Sequence, residues 1–157
     1  MADDLGTRIA KLEAAEEIRS LKVRYAKACD DGYKPAGMVP LFTEDAVWTD
    51  VTGRFGTHEG RDAICDFFDG VSDQIGWAGH YMIGPDITVD DDLTTASGMW
   101  YLWQPCTIDG QATWLAGTYL DQYRKDADGA WKISRLELTV DVLTSFEEAW
   151  ASGQVPS

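Results

Sequence analysis

Two histidines, His58 and His80, supply all the imidazole in this 157-residue sequence. Imidazole is the side chain that exchanges protons near neutral pH, so chemistry of that kind must use one of them. His80 opens an apolar run, GHYMIG, directly after the small-residue break GWAG. His58 lies between glycines in GTHEGRD, a surface-turn context. Two carboxylates, Asp30 and Asp31, stand where a helical pattern stops before Gly32, in RYAKACDDGY. A helix C-terminus carries partial negative charge and favours cations. Acids there are either solvated loop residues or have a task. In WKISRLELTV, regular alternation puts Arg135 on one face with Trp131 and Ile133. A buried arginine needs an acid, whereas one at a rim only lays its stem over apolar surface.

Other chemistry lacks its residues. THEGRD has no second histidine, and its glycines spoil a zinc-protease helix. GTHEG is followed by Arg61 rather than the Lys-Ser/Thr ending of a phosphate loop. No GxGxxG opens a helix after a strand, and no GxSxG elbow occurs. The run Asp90–Asp92 is too short and too closely spaced for a calcium loop and reads as a solvated turn. Neither a metal nor a cofactor is expected. The formal net charge is -14, from 13 basic and 27 acidic residues. Nucleic acid and anionic membrane surfaces both need a basic footprint, so neither is an expected partner. Cys29, Cys65 and Cys106 form no CxxC or CxxH pattern and read as buried free thiols. MADDLGTR has no apolar core of a signal peptide, and no apolar run is long enough to span a membrane. A cytoplasmic location is the expectation.

The elements that must position these residues run helices first, then strands. A hydrophobic fraction of 45% with 25% charged residues suits one globular domain over residues 1–157. Ile18, Leu21, Tyr25 and Ala28 share a helical face, and Gly32 is the expected stop. Leu5, Ile9 and Leu12 form a differently phased stripe, read as an N-terminal arm over 1–14. KPAGMVPLF predicts a short helical turn, AVWTDV a strand, FGTHEG a return strand or turn, and RDAICDFFDGV a helix. Beyond Gly79 come HYMIG, DITVD, TASGMWYLWQPCTI, QATWLAGTYLDQYRKD and AWKISRLELTVDVL, parted by Asp-rich and Asp-Gly turns. This order predicts an α+β fold, an antiparallel meander curved around helices with a pocket at its open end. Tyr101 and Trp103 share one face of their strand, and Trp100 and Leu102 the other. The pocket is expected to be lined by Trp48, Tyr101, Trp103 and Trp114. The tail, 144–157, with Phe146 and Trp150, either folds over a pocket or a neighbour or frays.

With these pieces in order, residues 18–140 resemble the SnoaL-like branch of the nuclear-transport-factor-2-like superfamily. The resemblance rests on LFTEDAVWTD, GRDAICDFF, GHYMIGPDITVDDDLTTASGMWYLW and GTYLDQYRKDADGAWKISRLEL. It implies a cone-shaped α+β barrel, N-terminal helices packed on a strongly curved, mainly antiparallel sheet. A narrower resemblance is to its cofactor-independent lyases: scytalone dehydratase, bile acid 7α-dehydratase and hexachlorocyclohexane dehydrochlorinase. There Asp30 matches an aspartate ending the first long helix, and His80 a histidine opening a later strand. The resemblance implies a His-Asp dyad as general base, Tyr25 as hydroxyl donor, and Arg135 binding an anionic tail or a pocket acid. MWYLWQ holds no histidine or acid, so the general-acid role falls to Tyr25 or another tyrosine. The expected reaction is elimination from a small hydrophobic alicyclic or polycyclic substrate, in a homotrimer or homodimer. Two other readings share the fold. A ketosteroid-isomerase-like proton transfer would use Asp50 or Glu137. A non-catalytic ligand-binding module, like a small dioxygenase subunit, would leave Asp30 and His80 structural.

Overall fold

The computed structural model describes residues 4–151. Helix α1 spans Leu5–Asp30 and starts at Asp4, whose carboxylate accepts the Thr7 amide at 2.9 Å. It is one continuous helix, so the expected arm is not a separate element. Its first turns leave Leu5, Ile9 and Leu12 largely exposed. Further on, Ile18, Leu21 and Tyr25 are buried on one face. Each such apolar side chain contributes roughly 1.5–3 kcal/mol on burial. The helix closes in a Schellman turn: Gly32 N donates to Cys29 O at 3.1 Å and Tyr33 N to Ala28 O at 2.9 Å. Gly32 takes φ 82°, a left-handed conformation that glycine adopts without steric cost.

Helix α2, Pro35–Met38, and a 3₁₀ turn, Val39–Leu41, lead into strand β1, Phe42–Asp50. A short β2, Thr57–Glu59, and helix α3, Arg61–Ser72, follow. The remaining strands are β3 Ile75–Ala78, β4 Tyr81–Val89, β5 Thr95–Ile108, β6 Gln111–Lys125 and β7 Trp131–Ser145. HYMIG and DITVD belong to the single strand β4, whose register shifts between Ile83 and Asp86. Strand β3 was not anticipated. The sheet order is β2-β1-β7-β6-β5-β3, with β4 also paired to β5. Only the β1–β7 pairing is parallel. Register shifts interrupt β7 against β6 near Gly117 and near Tyr123, and such bulges bend a sheet. The result is a strongly curved half-barrel with the helices in its concavity, as the sequence led one to expect.

The inward faces of the long strands form the core: Trp100 and Leu102 on β5, Leu115, Tyr119 and Tyr123 on β6, Leu136 and Leu138 on β7. The bulge near Tyr123 corrects one expectation. It inserts Ser134 between Ile133 and Arg135, so Arg135 leaves the inward row that Trp131 and Ile133 occupy. All three cysteines are buried and free. No described helix is long and apolar enough to cross a membrane.

Candidate active site

His80 stands between β3 and β4, where Ala78 and Gly79 leave room for the chain to turn. Gly79 N donates to Pro105 O at 3.1 Å, which anchors this link to β5. The last helical residue of α1, Asp30, meets it. Asp30 Oδ1 accepts from the His80 backbone amide at 2.9 Å and lies 2.8 Å from Nδ1. A carboxylate oxygen only accepts, so Nδ1 carries a proton, and in the neutral ring Nε2 presents a lone pair. The imidazole side chain is 4% exposed, and the carboxylate 40%. Asp30 therefore holds the ring from behind, half in solvent, while Nε2 points inward. Its partner there is the Tyr33 hydroxyl at 3.3 Å.

Nε2 faces a narrow cavity of about 40 Å³. That is well below the roughly 300–1,000 Å³ typical of small-molecule sites, so a cyclic guest must displace lining side chains to enter. Apolar walls come from Trp48, Phe55, Phe67, Phe68, Leu115 and Leu138. The polar groups at its lining are Tyr25, Tyr33, His80, Gln104 and Tyr119. No carboxylate lines it among the described residues. Trp48 Nε1 donates to the Tyr25 hydroxyl at 3.3 Å, and the Tyr25 and Tyr119 rings meet edge to face at 6.1 Å. Burial, as the main cause, pushes the phenols of Tyr25, Tyr33 and Tyr119 above their ordinary range. They remain protonated and can donate. Phe55, Phe67 and Ile108 also wall a neighbouring groove edged by Arg54, Asp66 and Asp109.

Of the residues singled out from sequence, Tyr25, Trp48 and His80 line this cavity, and Asp30 contacts His80 from outside it. Tyr25 and Asp30 do not converge. The other four lie elsewhere. Arg135 faces the outer side of the sheet and pairs with Glu137 at 2.9 Å. Tyr101, Trp103 and Trp114 also point outward, because the inward residues of β5 are Trp100, Leu102, Gln104 and Cys106. Trp103 and Trp114 pack together at 4.9 Å, and Phe146 and Trp150 of the tail pack on them. His58 is structural: Nε2 lies 2.8 Å from Phe55 O and the ring stacks on Phe67 at 4.0 Å. Asp50 is a turn cap that accepts from Thr52 and from the Phe55 amide.

Sequence reasoning missed Tyr33, Gln104 and Tyr119, and also a second polar pair. Lys22 lies on the buried face of α1 and meets Asp121 Oδ2 at 2.7 Å, both side chains 0% exposed. Its spacing within the apolar stripe at Ile18, Leu21 and Tyr25 was the available signal.

A half-barrel sheet closed by helices over an aromatic cavity defines the class of cone-shaped α+β folds. The chain belongs to the SnoaL-like domain family, whose profile matches residues 10–137. Among solved structures it is similar to a protein of Novosphingobium aromaticivorans provisionally assigned as an aromatic ring hydroxylase. The identity is 26% over 87% of this chain and 96% of that one, with a TM-score of 0.78. It is similar to the hexachlorocyclohexane dehydrochlorinase LinA-type3 of Novosphingobium barchaimii, at 20% identity, 88% and 94% coverage and a TM-score of 0.78. A provisionally assigned scytalone dehydratase of N. aromaticivorans matches at 22% identity, 86% and 89% coverage and a TM-score of 0.75. These last two likenesses concern the fold alone. Comparison with curated proteins finds no significant match.

Proposed function

We propose that the protein is a cofactor-independent lyase acting on a small hydrophobic alicyclic or polycyclic substrate. One observation carries this reading: an imidazole whose Nδ1–H is held by Asp30 directs its basic nitrogen into an aromatic cavity. His80 takes a proton from a carbon next to a carbonyl. Asp30 fixes the tautomer and stabilises the imidazolium as it forms, a general-base contribution of roughly 10²–10⁴ in rate. Tyr25 and Tyr119 offer protonated hydroxyls to a carbonyl oxygen on which charge develops. The fold also houses a dehydrochlorinase and a provisionally assigned dehydratase, so elimination is chemistry it can accommodate. The carboxylate-base isomerase reading loses support, since Asp50 caps a turn and Glu137 pairs with Arg135 away from the cavity. The test is turnover of a panel of cyclic β-hydroxy ketones, read by mass. Dehydration lowers product mass by one water and isomerisation conserves it. Activity that survives both His80→Gln and Asp30→Asn would defeat the proposal.

We further propose that copies of the chain associate through the outer sheet face. Tyr81, Ile83 and Tyr101 are exposed there beside the Trp103–Trp114 cluster, and Asp30 borders the same groove. Light scattering should find a dimer or trimer, and Tyr101→Glu should reduce it to monomer.

A further inference from the structure

The terminal turn of α1 supplies partners to both imidazole nitrogens, and the mechanism above uses only Asp30. In the neutral ring, with its proton on Nδ1, the Tyr33 hydroxyl is the donor in its 3.3 Å contact with Nε2. Three constraints aim that hydroxyl. The Tyr33 backbone takes φ 57°, left-handed and uncommon for an aromatic residue. Its amide is tied to Ala28 O in the Schellman turn. Its ring lies flat on Phe68, 5.2 Å away with 8° between planes, and edge-on to His80. At 3.3 Å the hydroxyl contact is longer than the usual ~2.7–2.8 Å of a hydroxyl hydrogen bond. A substrate can therefore replace it at modest cost, with the hydroxyl still beside the base.

We infer that Tyr33 is a catalytic residue of the proposed elimination, relaying a proton between His80 and the departing oxygen. The inference rests on His80 being the base. As Nε2 takes the proton, the C–H electron pair moves into an enolate whose charge the carbonyl oxygen carries. The enolate pair then forms the new C=C π bond as the C–O bond breaks with its own pair on oxygen, and that oxygen takes the Tyr33 hydroxyl proton. In the same step the proton on Nε2 passes to the Tyr33 oxygen. One water leaves, nothing is oxidised, and the resting Asp30–His80–Tyr33 arrangement is restored. Transfer to the tyrosine oxygen accompanies its own donation, so no tyrosinate accumulates, as burial of this phenol requires. Base and acid lie on one side of the substrate, so the elimination is syn.

The probe is β-hydroxycyclohexanone in heavy water, which reports two reactions at once. Exchange of its α-protons needs only the base, and formation of cyclohexenone also needs the acid. Tyr33→Phe keeps the ring stack, and a thermal melt checks its fold. It should retain exchange while dehydration falls roughly 10²-fold or more. Equal losses of exchange and dehydration would mean that Tyr33 only holds the ring, and unchanged dehydration would remove it from the chemistry. Either result overturns the relay while leaving His80 as base. His80→Gln should abolish both reactions; retained exchange there, or no exchange by the unmodified chain, would overturn the proposed function and the relay together. The unmodified chain gives a second readout that needs no variant. Dehydration should slow more in heavy water than exchange does, because more exchangeable protons are in flight.

Discussion

Lys22 and Asp30 stand on the same helix, and each meets a partner from the strands, yet the two pairs differ in what they can do. Lys22 and Asp121 are sealed on every side. Asp121 Oδ2 also accepts from the Tyr123 hydroxyl at 2.6 Å, whose oxygen accepts in turn from the Trp100 indole N–H at 2.9 Å. The Lys22 ammonium lies 3.8 Å from the Tyr119 ring centroid. Burial lowers the Lys22 pKa and the Asp121 charge opposes the shift. No atom of this network that could accept a proton faces free space; Asp121 Oδ1 is buried without a partner among the described residues. At Asp30–His80 the carboxylate is half wet and one nitrogen faces a cavity. Burial and charge alone therefore do not mark a site for proton transfer. A basic acceptor on the wall of a cavity, held by a bond that a guest can replace, does.

The contrast breaks most visibly in rate. His80→Gln and Asp30→Asn should each cost about 10²–10⁴ in kcat, and Asp30→Asn should melt close to the unaltered protein, since Asp30 is already half solvated. Initial rates with matched thermal melts check this. A variant that loses stability in step with activity would place Asp30–His80 among structural pairs.

The sealed pair should respond the opposite way. Lys22→Met strands a buried carboxylate and should cost about 3–5 kcal/mol of stability. For a chain of this size that is a fall in Tm of roughly 2–4 °C for each kcal/mol. Lys22→Met combined with Asp121→Leu should recover most of the loss, because no charge is then left unpaired. Folded double variant should turn over substrate at nearly the normal rate. If it folds well but is inactive, the ammonium under Tyr119 matters to the chemistry and the comparison fails.

How much of this was legible depended on whether local rules held. Gly32 announced the end of α1, and the helix end fixed Asp30, because a left-handed stop needs glycine. The residue after such a glycine often folds back to pack on the helix, so an aromatic at Tyr33 was a readable signal that went unread. Strand parity separated Tyr101 and Trp103 from Trp100 and Leu102 correctly. It did not say which set faced in, because tryptophan occupies both faces. Arg135 was misplaced by one inserted residue at the β7 bulge, which flips every side chain beyond it. The cavity itself arises from side chains on five or more elements, and no single stretch encodes its volume.

The smallest effect expected concerns buried groups that resist ionising while the fold is closed. Burial pushes the Cys106 thiol from 9.0 up to about 11, and raises Cys29 and Cys65 as well. The unfolded chain releases these protons near pH 9, whereas the folded chain keeps them. This part of the stability is therefore complete below pH 9 and is lost as pH rises toward 11. Lys22, whose pKa is lowered, contributes with the opposite sign, but the raised phenols of Tyr25, Tyr33, Tyr119 and Tyr123 act with the thiols. Urea midpoints should thus fall modestly through this alkaline window. Alkylation of Cys106 in the native protein should keep accelerating beyond pH 9, where an unfolded control has levelled off. A native alkylation rate that levels off with the control would mean the core around β5 opens freely, and the line between a sealed interior and an accessible cavity would have to be redrawn.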